Sequence, residues 1–142
     1  MKRIVFLFLA LALLPFGKEA AAQEFQVVVN AANGVSSISK DELSKIFLKK
    51  SSKWAGGADA VAVDLRAGDA AREAFSQAVH GRGASAIASY WQQQIFAGKD
   101  VPPEEKGSAA DVLAFVASNP GAVGYVPAGT DLGSGVKVIS VS

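Results

Sequence analysis

The sequence predicts an α/β fold in which a mixed, mostly parallel sheet is flanked by helices. Short runs of β-branched and apolar residues, at 25–31 and 60–65, alternate with segments whose apolar residues recur every three or four positions. Clusters of glycine, proline and asparagine separate these segments, as turns require. The 142 residues are enough for one domain of ordinary size.

The first 22 residues are expected to form a secretory signal peptide and not a part of the domain. Lys2 and Arg3 precede an almost unbroken apolar run over 4–16, and an Ala-x-Ala cleavage site ends at Ala22. The run is shorter than the roughly 20 residues that a membrane-spanning helix needs, which argues against an N-terminal anchor. Because no cysteine follows it, a lipoprotein anchor is excluded. Cleavage leaves a domain of residues 23–142 with no membrane insertion.

The composition of residues 23–142 excludes several functional classes. This segment carries 11 basic and 12 acidic residues, a balance that gives no support to nucleic-acid binding or to a basic membrane-surface patch. The absence of cysteine excludes a disulfide scaffold, a cysteine-ligated zinc site and a thiol nucleophile. Export without cysteine favours a bacterial periplasm, where the fold must depend on its core.

The first predicted strand, 25–31, leads into a turn at Asn33–Gly34. A helix then begins after Ser39, because Ser39 and Glu42 have the spacing of a capping box. Its apolar residues fall on one face. They are Leu43, Ile46 and Phe47.

The second predicted strand, 60–65, is short and apolar, as in a buried parallel strand. A helix follows the loop 66–69 and ends at Gly81 and Gly83. The next helix starts near Ser85 and carries apolar residues spaced by four, until Gly98 ends it. These residues are Ile87, Trp91 and Ile95.

The stretch 99–107 contains two prolines and three consecutive charges, which predicts a surface loop. Ser108 caps the last helix, and the segments 122–126 and 136–141 are predicted strands separated by a glycine-rich turn. One core residue from each of several elements is expected to be buried. These are Phe47, Val63, Phe75, Trp91, Phe115 and Val123.

The sequence offers few groups for catalysis. The single histidine, His80, stands at a helix end beside Gly81, where it is expected to favour the negative end of the helix dipole. The nucleophile-elbow, phosphate-loop and dinucleotide motifs are absent from the sequence. One histidine and no tight carboxylate cluster do not supply a metal site, and the Glu104–Glu105 pair is expected to be solvated. We therefore predict a non-enzymatic protein without catalytic residues, metal or cofactor.

The loop after the second strand is the best candidate for a binding site. In open α/β sheets, ligands lie at the carboxyl ends of strands, where helix N-termini present free N–H groups. Arg66 and Arg72 are placed to pair with an anion there, and Gly68 allows close approach. The alternative is structural, with Asp69 capping the helix and Arg72 forming a surface pair with Glu73 or Asp69. The spacing alone does not choose between the two.

The segment 38–54 reads I-S-K-D-E-L-S-K-I-F-L-K-K-S-S-K-W, which resembles the I-S-x-x-x-L-x-x-I-F-x-G-K-x-x-x-W stretch of periplasmic phosphate-binding proteins of ABC transporters. The likeness continues through 63–75 and Trp91, and it closes with P-G-A-V-G-Y-V at 120–126. The resemblance implies a single lobe of a type-2 solute-binding protein in the periplasm, with a phosphate-like anion as ligand.

Two departures bear on that ligand. In the phosphate-binding members an arginine precedes Gly-Ser-Gly-Thr, whereas here Asp69 follows Gly68 at the serine position, and Arg66 stands one residue closer to the glycine. A carboxylate at a helix N-terminus competes with an anion for the same N–H groups and repels it. The family's proteins also close two lobes over their ligand, and this chain has the length of one.

Two functions therefore stay open. In the first, Arg66, Gly68, Asp69 and Arg72 form a site for phosphate or a similar small anion, for uptake or sensing. In the second, the domain has lost the ligand and binds an envelope protein, a sensor or a transporter subunit, through the same face. Asp69 disfavours the first function and suits the second.

Export is testable by mass spectrometry of the periplasmic fraction of an expressing bacterium. We expect a mature chain that starts at Gln23, because the signal peptidase cleaves after the Ala-x-Ala site. A full-length product retained in the inner membrane would contradict this expectation.

Overall fold

The computed structural model describes residues 24–142, so the predicted signal peptide lies outside the described residues. Within this range the chain forms one six-stranded sheet with four α-helices. The strands are β1 (Phe25–Asn30), β2 (Ser37–Ile38), β3 (Val61–Leu65), β4 (Glu104–Lys106), β5 (Ala122–Pro127) and β6 (Val136–Val141). The helices are α1 (Lys40–Phe47), α2 (Ala70–Phe75), which a π-helical turn (Ser76–His80) extends, α3 (Ala84–Phe96) and α4 (Ala109–Ser118).

The sheet is mixed and mostly parallel, as the sequence predicts. Its order is β2-β6-β1-β5-β3-β4, and β1 alone runs antiparallel to its neighbours. The carboxyl ends of β2, β3 and β4 therefore share one edge, which we call the carboxyl edge. Because α1, α2 and α4 follow these strands directly, all three helices begin at the carboxyl edge.

Side-chain caps fix where these helices start. The Oγ of Ser39 accepts a hydrogen bond from the Glu42 N–H at 3.1 Å, and the Oγ of Ser108 accepts one from the Asp111 N–H at 3.2 Å. Such caps satisfy N–H groups that have no partner within the helix. Both predicted helix starts are confirmed.

Helices cover both faces of the sheet, and β5 shows how. Tyr125 points to one face and stacks on Phe75 of α2, with 4.0 Å between the ring centroids. Gly124 points to the other face, where a Cβ would lie 2.8 Å from the side chains of Val112 and Val63. Only glycine allows α4 to pack this closely on the strand. The sheet is therefore enclosed between α1 and α2 on one side and α4 on the other.

Five of the six residues predicted for the core are buried. Phe47, Val63, Phe75, Trp91 and Val123 are at most 5% exposed. Phe115 is only partly buried, so its assignment to the core was too strong. It lies near the edge strand β4, where the Nζ of Lys106 stands 5.2 Å from the ring centroid.

One prediction of local structure was wrong, and one short strand was not predicted. The stretch predicted as a surface loop, 99–107, contains the edge strand β4, and the two-residue strand β2 was not foreseen. Strand pairing uses backbone groups, and an edge strand leaves its charged side chains in solvent. The polar composition of Glu104–Lys106 therefore hid a strand.

The outer helix α3 also departs from the expectation for its apolar face. Ile87 and Trp91 pack with Leu48 in a small cluster separate from the main core. Ile95, which has the same spacing, is 52% exposed, because the helix extends beyond the elements that it packs on.

Candidate functional site

The loop between β3 and α2 holds three of the four predicted site residues at the carboxyl edge. Arg66 is exposed, and Gly68 adopts a positive φ of 87° in the turn that reverses the chain. The Oδ1 of Asp69 accepts a hydrogen bond from the Ala71 N–H at 2.8 Å. Asp69 therefore caps α2, and its carboxylate accepts the hydrogen bond of an N–H group that an anion would need.

The fourth site residue, Arg72, does not point to solvent. It is 7% exposed, and its Nη1 donates hydrogen bonds to the Leu65 carbonyl at 2.9 Å and to the Glu105 carboxylate at 2.5 Å. Its Nε also lies 4.0 Å from the Oδ1 of Asp64. The interpretation of Arg72 as a surface pair with Glu73 or Asp69 is therefore wrong. Glu105 is exposed, as expected, with 45% of its side chain accessible, and β4 places it beside the end of β3 within reach of Arg72.

A buried tyrosine completes this group. The Tyr125 hydroxyl donates a hydrogen bond to Oδ1 of Asp64 and accepts one from the Leu65 N–H at 3.3 Å. We call Asp64, Arg72, Glu105 and Tyr125 the Asp64 cluster. It joins β3, β4, β5 and α2 just beneath the loop 66–69. Within residues 24–142, no buried side-chain nitrogen or oxygen is left without a hydrogen-bond partner.

Burial and charge set the protonation of the cluster. Burial raises the pKa of Asp64, and the Arg72 charge and the Tyr125 hydroxyl offset this only in part. Burial and the neighbouring Asp64 also raise the pKa of Tyr125, which stays a neutral donor. Burial alone would lower the pKa of Arg72, but the carboxylates of Asp64 and Glu105 outweigh it and leave that pKa raised. The guanidinium is thus charged and faces two carboxyl groups.

The histidine is part of the packing on the same side of the sheet. The Nδ1 of His80 shares a hydrogen bond of 2.7 Å with the Oγ of Ser44, and the rings of Phe47 and Phe75 lie against the imidazole. Burial, and to a smaller extent Arg82 and Lys50, lowers the pKa of His80 to about 4. The imidazole is therefore neutral near pH 7 and lacks the charge that the expected dipole interaction needs.

The space beside His80 does not suit a substrate. A cavity of about 10 Å³ lies between His80 and the Asp64 cluster. Such a volume holds one water molecule at most.

The part of the chain from 24 to 142 contains no group of three histidine, cysteine, aspartate or glutamate residues placed to hold a metal ion. Among the described helices, none has the length and apolar character needed to cross a membrane.

Sequence reasoning missed Asp64 and Glu105 as partners of Arg72, and Tyr125 as the partner of Asp64. One signal was present, because a carboxylate within the apolar strand 60–65 needs a buried partner. The partners themselves depend on the order of strands, which places β4 and β5 on either side of β3. The spacing of residues along the sequence does not indicate that order.

The fold of the described residues is similar to that of solved phosphate-binding proteins. An ABC-type phosphate transport receptor from Vibrio cholerae superposes with a TM-score of 0.64 at 22% identity, over 83% of this chain and 46% of its own. A protein from Clostridium perfringens, assigned as a phosphate ABC transporter substrate-binding protein and solved with bound phosphate, gives 0.64 at 20% identity, over 83% and 44%. PstS from Borrelia burgdorferi gives 0.59 at 15%, over 84% and 47%.

These likenesses confirm the resemblance stated from the sequence at the level of the fold. The chain has the α/β fold of a solute-binding-protein domain and spans less than half the length of each neighbour. No protein-family model and no curated protein sequence matches it.

Replacing Arg72 tests whether the Asp64 cluster is structural. Arg72→Leu leaves Asp64 in an apolar site without its cation, and breaking a buried pair in this way typically costs about 3–5 kcal/mol of unfolding free energy. Arg66→Leu, at the exposed position six residues earlier, should change it by less than about 0.5 kcal/mol. Urea denaturation of both variants measures the difference, and equal stabilities would show that the cluster does not hold the edge together.

Proposed function

We propose that the protein is an exported, solute-binding-protein-like domain that acts in the bacterial envelope by binding another protein at the carboxyl edge. One observation carries this proposal. Two of the groups that would hold an anion there, the N-terminus of α2 and Arg72, are satisfied from within the chain, since Asp69 caps α2 and Arg72 pairs with Asp64 and Glu105.

The binding free energies involved favour a protein partner over tight phosphate binding. A charge-assisted hydrogen bond contributes about 1.5–3 kcal/mol, so losing one donor and adding one repulsion removes several kcal/mol. Because each 1.4 kcal/mol is tenfold, such a loss turns a roughly micromolar site into a millimolar one. The Glu105 carboxylate would also have to leave Arg72 before an anion reached it.

The carboxyl edge has the chemistry of a polar contact surface. Asp41, Asp69 and Asp111 lie in or beside the first turns of α1, α2 and α4, and Arg66 and Lys40 stand among them. Mixed charges of this kind give orientation and specificity to contacts between proteins. A sensor or a transporter subunit in the periplasm is the partner class that suits an exported domain of this fold.

Recognition of phosphate or a similar small anion, for uptake or sensing, is the second candidate. Two observations favour it: a neighbour of the same fold was solved with bound phosphate, and α2 begins at the carboxyl edge directly after the loop that carries Arg66. Helix N-termini attract anions through their free N–H groups. The two candidates differ in whether those groups are available.

Titration calorimetry with inorganic phosphate separates the candidates. We expect weak or undetectable binding by the wild type, and a gain of about tenfold or more when Asp69→Ser replaces the repelling carboxylate by a neutral hydroxyl and Glu105→Gln weakens the hold on Arg72. Asp59→Ser is the matched control, because it removes one carboxylate beside the opposite end of β3. Tight binding by the wild type would overturn the proposal. Silence from every variant would leave anion recognition without support.

A photo-crosslinking residue in the exposed loop tests for a protein partner directly. Placed at Ala67, in cells that export the protein, it should give an adduct with one envelope protein, because Ala67 lies between Arg66 and Gly68 at the carboxyl edge. The same residue at Ala58, at the opposite edge, is the control. The same adducts from both positions, or none from Ala67, would contradict a partner at the carboxyl edge.

A further inference from the structure

We infer that α3 is a lid, which opens as one unit about the glycines beside its two ends and covers the polar cavity between Arg72 and His80. This goes beyond the proposed function. It involves neither an anion nor a partner at the carboxyl edge, so its test can fail while the proposed function stands.

The helix α3 is held by an apolar cluster of its own. Its buried residues, Ile87 and Trp91, pack with Leu48 and the partly buried Tyr90 in a cluster separate from the main core. By contrast, α1, α2 and α4 each place buried residues in the main core. A segment that is held by few buried apolar side chains can open while the rest of the domain stays folded. The helix α3 can therefore separate without disrupting the core of the sheet.

Glycines with a positive φ stand beside both ends of α3. Gly81 ends the π-helical turn before the helix, Gly98 follows the carboxyl end of the helix, and φ is 68° at each. Glycine reaches this region without the steric cost that a Cβ imposes, and it populates negative φ values about as readily. Hinges are a few residues at the ends of elements that take up large changes of φ and ψ. The two glycines are therefore placed to act as the hinges of the segment between them.

The inner face of α3 covers polar groups. Ala84 and Ile87 line the cavity of about 10 Å³, and its other lining residues, which include Arg72, Ser76 and His80, belong to β3, α2 and the π-helical turn. Opening of α3 lets water reach these polar groups, and their hydration offsets part of the cost of exposing the apolar cluster. The hydrogen bonds of Arg72 involve no residue of α3, so the Asp64 cluster keeps its pairs when the lid opens.

The polar contacts that hold α3 closed are weak. The helix contains no charged residue, so it forms no salt bridge. The Ala84 N–H donates an exposed hydrogen bond to Oε2 of Glu73 at 3.0 Å, and the Tyr90 hydroxyl reaches the Leu48 carbonyl over 3.5 Å. The Nζ of Lys50 lies 5.8 Å from the centroid of the Tyr90 ring. Hydrogen bonds that are exchanged with water contribute little net free energy, so the closed state depends mainly on the separate apolar cluster.

Thiol labelling of the native protein tests the lid, because the sequence has no cysteine of its own. Ser76→Cys places a thiol at the cavity, where Ser76 is 3% exposed, and Ala71→Cys is the matched control, because Ala71 is 4% exposed and packs in the main core. We expect an aromatic disulfide reagent to label Ser76→Cys about tenfold or more faster than Ala71→Cys, since the first thiol needs only the opening of α3 and the second needs unfolding of the core. Equal labelling rates would overturn the inference.

Two further substitutions show whether the opening involves α3 alone. Val112 packs in the main core and not in the cluster of α3. Val112→Ala should therefore speed the labelling of Ala71→Cys about tenfold and leave that of Ser76→Cys within about twofold. Trp91→Ala should speed the labelling of both thiols, because the contacts of Trp91 are lost in the open state and in the unfolded state alike. Equal effects of Val112→Ala on the two thiols, or no effect of Trp91→Ala on Ser76→Cys, would contradict the lid.

Hydrogen exchange of the unsubstituted chain that starts at Gln23 measures the same opening without a variant. An isolated helix of 13 residues is marginal in water, so α3 loses its internal hydrogen bonds once it leaves its apolar cluster. We expect the amides of α3 to share one opening equilibrium, about tenfold or more above that of the amides of α4, which packs in the main core. Exchange as slow as that of α4, or exchange that proceeds residue by residue from one end of α3, would overturn the inference.

Discussion

The buried guanidinium of Arg72 is the constraint on which the carboxyl edge depends. It reaches Asp64 on β3 and Glu105 on β4, while the Tyr125 hydroxyl from β5 binds Asp64 from the other side. A charge taken out of water needs partners of good geometry, so these strands must keep their order for Arg72 to be stable there. The ring of Tyr125 then stacks on Phe75, which connects the polar cluster to the aromatic core.

The internal pairing of Arg72 also explains why a shared fold does not establish a shared ligand. The described residues have the fold of phosphate-binding neighbours, but a fold does not fix a function. What decides anion binding is whether donors at the carboxyl edge are free. Here the α2 cap and the Arg72 pairs use them internally. Arg66 is exposed, and an exposed cation contributes little by itself because water screens it.

Elements with strong local signals could be predicted from the sequence, whereas elements that are defined by strand pairing could not. Ser39 and Ser108 marked helix starts because a cap acts within three residues of itself. The strand β4 carried no such signal, since an edge strand with charged side chains looks like a loop. The partners of Arg72 were missed for the same reason: Glu105 is 33 residues away along the chain, and the sheet brings it within 2.5 Å. The exposure of Ile95 also could not be predicted, because it depends on where α3 extends beyond the elements that it packs on.

Exposure decides what an arginine at the carboxyl edge can contribute. In water the attraction between an arginine and an anion falls to about 1 kcal/mol at 4 Å. An arginine left open at the edge would then give little affinity. An arginine buried against the carboxylates of Asp64 and Glu105 instead holds three strands and a helix in one arrangement.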